Sequence, residues 1–128
     1  MRRRGFVIGL ALLPGTALAG ERALPVDVQL NAAQIEMLLS GNTIVGAWNG
    51  DAYTQFFDAN GQTIYFPEGG QPDRGKWRVN ADTDQYESWW ERTSWTGYTI
   101  MMTNDGYAWI SRGELQPFEV FKGKQVTW

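Results

Sequence analysis

The chain has 128 residues, with 11 Lys+Arg against 14 Asp+Glu, no histidine, no cysteine and 14% aromatic residues. Its negative balance repels nucleic acid and anionic membranes. Without histidine or cysteine it also lacks the commonest general base and metal ligand, a thiolate nucleophile and zinc-thiolate sites.

The first residues, MRRRGFVIGLALLPGTALAG, combine three arginines, a short apolar run and Ala17-Leu18-Ala19. That order is a charged n-region, an h-region too short to span a bilayer, and a small-residue cleavage site. Residues 1–19 are therefore expected to be a signal peptide cleaved after Ala19, giving a periplasmic or secreted product. Arg3-Arg4-Gly5-Phe6-Val7 also approximates a twin-arginine signal, so the export route stays open between that and the general one. Cleavage would remove three of the eleven basic residues and none of the fourteen acidic ones, leaving a net charge of −6. No later apolar run approaches the ~20 residues of a membrane span, so a product without stable membrane insertion is expected.

Residues 20–30 show no clear period and include Pro25, which suggests a flexible or loosely docked arm. NAAQIEMLLSGN follows. Asn31 suits an N-cap, Gln34 completes a capping box, Gly41 suits a helix stop, and Ile35, Leu38 and Leu39 share a face. Beyond this short helix come stretches rich in β-branched and aromatic residues: Thr43–Trp48, Tyr53–Phe57, Thr63–Pro67, Lys76–Asn80, Gln85–Glu91, Tyr98–Thr103, Tyr107–Ser111 and Phe118–Lys122. Short Gly, Asn and Asp separators predict a mainly β domain over 31–128. The fold expected is a single antiparallel meander of about eight strands closing into a small barrel, with one N-terminal helix. The one long separator, PEGGQPDRG from Pro67 to Gly75, is a loop that could lie over a cavity or simply face solvent.

Gly46-Ala47-Trp48 opens the first strand after the helix. It resembles the lipocalin-like barrels, in which a short helical turn precedes a Gly-x-Trp whose ring closes the barrel base. The fuller pattern of helix, GNTIVGAW, DANGQTIYFPEGG, GKW and Tyr-rich strands, over about residues 31 to 123, is similar to uncharacterised small secreted bacterial domains. The resemblance implies a fold and no activity. Some such relatives carry a cysteine pair near the positions of Glu87 and Gly97, which this chain does not have.

Catalytic readings are thin. No Ser-x-x-Lys spacing occurs. Glu87 and Glu91, on one strand face, would stand about 13 Å apart at roughly 3.3 Å per residue, beyond the ~5 to 9.5 Å that glycoside hydrolysis requires. Asn80, Asp82, Asp84 and Glu91 fall at positions 1, 3, 5 and 12 of a calcium loop, but Gln85 replaces its glycine, so a polar hairpin turn explains them better. No cofactor and no metal are implied.

YESWWERTSWTGYTI, from Tyr86 to Ile100, holds three of the seven tryptophans. Strand alternation puts Tyr86, Ser88 and Trp90 on the core face and Glu87, Trp89 and Glu91 outside. Tyr98, Ile100 and Met102 form an apolar row expected in the core, while Trp95 lies near a hairpin tip. Trp89 and Trp95, with Arg92 nearby, are thus candidates for an aromatic binding platform. A bulge turning both adjacent tryptophans inward, or a covering segment, is the competing reading. Trp48, Trp77, Trp109 and Tyr107 read as core.

The leading expectation is a monomeric, non-catalytic, exported module that binds a small hydrophobic or carbohydrate ligand in the barrel mouth or on the Trp89/Trp95 surface. The alternative is an envelope protein-interaction factor, such as an inhibitor of a basic, lysozyme-like enzyme. A hydrolase using carboxylates alone comes third.

Overall fold

The computed structural model describes residues 27–127; the expected leader and most of the expected arm lie outside them. The elements are β1 (Val28–Gln29), α1 (Ala32–Leu39), β2 (Thr43–Trp48), β3 (Asp51–Phe57), β4 (Gln62–Pro67), β5 (Asp73–Asn80), β6 (Gln85–Trp90), β7 (Thr93–Tyr98), β8 (Ile100–Thr103), β9 (Gly106–Ser111) and β10 (Glu114–Phe121). The ten strands form one curled antiparallel sheet in the order β1-β8-β9-β10-β2-β3-β4-β5-β6-β7. The expectation of a mainly β chain with one short helix holds at that level, but the strand count is ten, not eight.

Two strands account for the difference. β1 pairs Val28 with Met102 and Gln29 with Met101. Leu30 follows it into the core and donates its backbone N–H to Ile100 at 2.9 Å. The second is β7. The sequence places Arg92–Gly97 near a hairpin tip and starts the next strand at Tyr98, yet Thr93–Tyr98 pairs with β6 from Tyr86↔Tyr98 to Trp90↔Thr93, and the turn is the two-residue link Glu91-Arg92. β7 runs into β8 through Thr99 alone, so one continuous segment pairs with β6 in its first half and with β9 in its second. Ile110 N–H donates to the Thr99 carbonyl at 3.0 Å beside this junction.

Local chemistry sets the connections. Asn49 (φ 52°) and Gly50 (φ 91°) make the left-handed two-residue turn that suits a tight hairpin, here between β2 and β3. The β10 strand includes Pro117, where sequence reasoning began it one residue later. Pro117 pairs only with Ala108 of β9, and the ladder to β2 starts at Phe118, so the missing N–H falls before that ladder.

The helix closes one end of the sheet. Its capping box is formed: Asn31 Oδ1 accepts from Gln34 N–H and Gln34 Oε1 accepts from Asn31 N–H. Asp84, the turn residue just before β6, accepts from Ala32 N–H at 2.9 Å and pins the helix start to the sheet. That contact gives Asp84 a structural use in place of the calcium-loop position. Ile35 and Leu39 are fully buried against Phe57, Trp77 and Tyr86 in the core. Asn31→Ala is expected to cost about 1 kcal/mol of stability, read from a urea melt; a loss below a few tenths would mean the helix is held by its buried face alone.

Residues after β10 fold back over the outer face. Thr43 Oγ1 donates to Gly123 O at 2.7 Å and accepts from Gln125 N–H, while Asn42 Oδ1 accepts from Gly123 N–H. Lys124 lies over Phe56, and Phe56 and Thr43 are thereby buried on the face away from the core.

Of the residues expected in the core, Trp77 and Trp109 are buried, while Trp48 and Tyr107 are partly buried against it. Met102 is a correction. It shares a face with Tyr107, as alternation requires, but pairs with Val28 where the strands run out, and it is 41% exposed.

Candidate functional site

At the end of the sheet opposite α1 the inner face leaves a cavity of about 280 Å³. It is lined by Trp48, Tyr53, Tyr65, Tyr86, Trp90, Tyr98 and Trp109, with Gln55, Ser88 and Asp73 as the polar lining. The volume lies just under the roughly 300–1,000 Å³ of pockets for drug-sized ligands, so it suits one small solute.

Alternation supplies these side chains. Tyr53 and Gln55 are successive inward positions of β3, and Tyr86, Ser88 and Trp90 of β6. The Trp90 ring reaches its place only because Gly75 lies beside it. A Cβ at Gly75 would stand 2.5 Å from Trp90 Cε3 and 2.5 Å from the Trp89 carbonyl oxygen. Gly75→Ala is expected to cost about 1–3 kcal/mol and to push Trp90 off the cavity wall. Tryptophan emission together with a denaturant melt reads both effects, and an unchanged emission spectrum would count against this packing.

The rings meet mainly at steep angles. Trp48 and Tyr98 cross at 89° with centroids 5.4 Å apart, Tyr65 and Trp90 at 71° and 6.1 Å, and Tyr98 and Trp109 at 71° and 6.3 Å. Tyr53 stacks on Tyr65 at 5.2 Å. Edge-to-face contacts of this kind are favourable beyond their buried area, and they fix each ring against its neighbour.

A hydrogen-bonded seam crosses the cavity floor. Gln55 Nε2 donates to Thr63 Oγ1 at 2.9 Å and, over a longer 3.4 Å, to the Tyr86 hydroxyl. Trp90 Nε1 donates to Ser88 Oγ at 3.2 Å, and Trp109 Nε1 donates to the Tyr53 hydroxyl at 3.0 Å. Burial pushes the Tyr53 hydroxyl up to about 12, against the opposing bond from Trp109. Burial also raises Tyr86 well above its ordinary range, against its bonds to Ser88 and Gln55. Both phenols therefore stay protonated at neutral pH and present fixed dipoles. Tyr65 is raised by partial burial and, secondarily, by the nearby Asp51 charge.

The sequence-predicted platform lies on the other side of the sheet. Trp90 faces the cavity and Trp89 faces outward, as alternation predicts. Trp89 stands opposite Lys76, whose Nζ lies 5.0 Å from its ring centroid. A register shift between Ser88 and Trp90 offsets β7, and the Trp95 ring lies under the Arg78 guanidinium, 3.8 Å from Cζ to the centroid. Arg78 also binds Glu87 at 2.6 Å. The Glu87 carboxyl is held below its usual range, first by the hydrogen bond from Asn80 and then by that from Arg78. Trp89 and Trp95 are half-buried, each with a cation over its ring. Arg92 is exposed in the β6–β7 turn. The cations that reach these rings are thus Lys76 and Arg78, whose register against β6 no single-strand pattern contains.

Sequence reasoning missed Gln55, Tyr65, Asp73 and Ser88 as cavity residues. A signal existed at Gln55 and Ser88, polar residues at inward positions between large rings. Among the described residues no helix is long and apolar enough to cross a membrane. No family model, curated protein or solved structure matches this chain.

Proposed function

We propose that the protein is a non-catalytic binding module, exported to the periplasm or beyond, that takes one small ligand into the aromatic cavity. In this reading the curled sheet acts as a small lipocalin-like barrel, with the β7–Thr99–β8 segment joining its two ends and α1 covering the end away from the mouth. The observation that carries it is the cavity itself, an apolar, ring-walled space with a few convergent polar groups, which is the usual form of a small-molecule site. A single carboxylate, Asp73, lies among the lining residues, so the cavity does not supply the pair that a carboxylate-only hydrolase needs.

Titration with small solutes, followed by tryptophan emission, tests the reading. Saturable quenching is expected, lost in Trp48→Ala at the cavity and kept in the Trp89→Ala/Trp95→Ala double variant. The opposite pattern would move the site to the outer face.

A second reading, a protein-interaction factor, draws support from that outer face. There Trp89, Trp95 and Arg78, residue types enriched at protein interfaces, stand half-exposed beside Lys76 and Glu87. A pull-down partner lost in the double variant would favour it.

A further inference from the structure

The charge of the lining narrows the ligand class. Three tryptophans and four tyrosines surround the cavity, no lysine or arginine lines it, and the one acidic residue in the lining is Asp73. Asp73 is the cross-strand partner of Tyr65, exposed at the start of β5 where the cavity opens. A second carboxylate, Asp51 at the start of β3, is close enough for its charge to act on the Tyr65 hydroxyl. The cations of β5, Arg74, Lys76 and Arg78, sit at the strand positions that alternate away from Asp73 and the cavity, and Lys76 and Arg78 lie over Trp89 and Trp95 on the far face.

From the ring-walled cavity and its carboxylate rim we infer that the ligand is a small free organic cation of the quaternary or tertiary ammonium type, held by the tryptophan and tyrosine rings with Asp73 at the mouth. This deepens the proposed function and rests on the cavity being the binding site.

Three physical points support the class. Aromatic faces carry negative potential and attract cations, most strongly when water is displaced, and boxes of such rings are the common way to hold an alkylated ammonium. The steep angles between Trp48 and Tyr98, Tyr65 and Trp90, and Tyr98 and Trp109 turn the walls around the space, so that rings approach it from several directions. An alkylated ammonium donates few or no hydrogen bonds, so it does not need the seam of Gln55, Ser88, Tyr53 and Tyr86, whose bonds are largely made internally. An anion would meet the opposite conditions, facing Asp73 at the mouth with no lysine or arginine in the lining. The acidic charge of the whole chain adds a field that draws cations toward it.

The same ammonium chemistry occurs on free solutes and on lipid headgroups, and the test separates them. Choline and tetramethylammonium would be titrated into the full-length protein alongside 3,3-dimethylbutan-1-ol, the neutral carbon isostere of choline, and a panel of neutral sugars. Phosphatidylcholine vesicles would be tested by co-sedimentation. Choline is expected to bind about tenfold or more tightly than its isostere, the order of one to two desolvated cation–ring contacts. Asp73→Asn, a change at an exposed rim position, is expected to weaken choline several-fold while leaving the isostere unchanged. Equal binding of choline and its isostere, or binding of a sugar alone, would overturn the cation while leaving the cavity as the binding site. Vesicle binding without a response to free choline would overturn the free-solute assignment. No response to any solute would overturn both this inference and the proposed function.

Discussion

Replacing Trp109 with alanine is expected to remove about 3–5 kcal/mol of unfolding free energy, a large share of the ~5–15 kcal/mol typical of a natural domain. Trp109 is 4% exposed and packs against Tyr86 at 4.8 Å, Phe118 at 5.1 Å and Tyr98 at 6.3 Å between centroids. Truncation loses all three ring contacts and leaves a void beside a space that is already open. It also leaves the Tyr53 hydroxyl without its indole donor. Trp109→Phe separates these effects. It keeps most of the ring volume and removes the donor, so it should cost about 1–3 kcal/mol. Denaturant melts followed by circular dichroism measure both variants. A loss under 1 kcal/mol for the alanine variant would show that the cavity wall collapses onto the gap or was never tightly packed.

The second large effect is expected with pH. Tyr53 is 3% exposed, and burial pushes its hydroxyl up to about 12 in the folded chain, against the ordinary 10 of an unfolded tyrosine. Below pH 10 both states hold the proton, and the stabilising contacts of the neutral phenol are fully present. Between pH 10 and 12 the unfolded state has lost that proton while the folded state keeps it, so the unfolded state gains in relative stability as pH rises. Two units correspond to roughly 3 kcal/mol for this one group. Tyr86 shifts in the same direction and for the same first cause, burial, so its contribution adds. The domain should therefore lose several kcal/mol of stability over this interval, about 3 from Tyr53 alone, and Tyr53→Phe should make the decline shallower. Unfolding free energies measured from pH 8 to 12 decide the matter; a flat profile above pH 10 would mean that the two hydroxyls reach water in the native state.

Much of the fold was legible because the relevant signals are local. Asn31 and Gln34 announce the helix start by their own side chains, and Asn49-Gly50 announces a hairpin by its tolerance of positive φ. Alternation along β6 separated Trp90 from Trp89 correctly since the strand is regular through Ser88. Most of β7 reads as a hairpin tip in the sequence, because RTSWTG around Trp95 falls between the two strands Gln85–Glu91 and Tyr98–Thr103. In the structure Gly97 instead continues the strand, paired with Glu87 of β6, with the Gln85 side-chain amide over it. Met102 had the right face but the wrong exposure, since position along a strand relative to the sheet's end depends on neighbours distant in sequence. The same limit hid the site. The cavity needs Tyr65, Asp73, Trp90 and Trp109 from four strands, and a single sequence contains their alternation but not their register.

The place of β10 in the sheet bears on how the chain acquires its structure. Strands β2 to β7 follow one another in space as in sequence, and so can pair as each is made. The joint between β10 and β2, however, lies in the middle of the sheet and brings together residues about 75 positions apart, a separation of the kind that slows folding. A chain emerging from its N-terminus therefore holds two half-sheets with raw inner edges until residue 121 is free. During that interval Phe57, Trp77 and Tyr86 have only part of their final cover. Folding should be slow for a domain of this size, with β10–β2 pairing as its late step, and the unjoined halves are the form of this protein most exposed to aggregation.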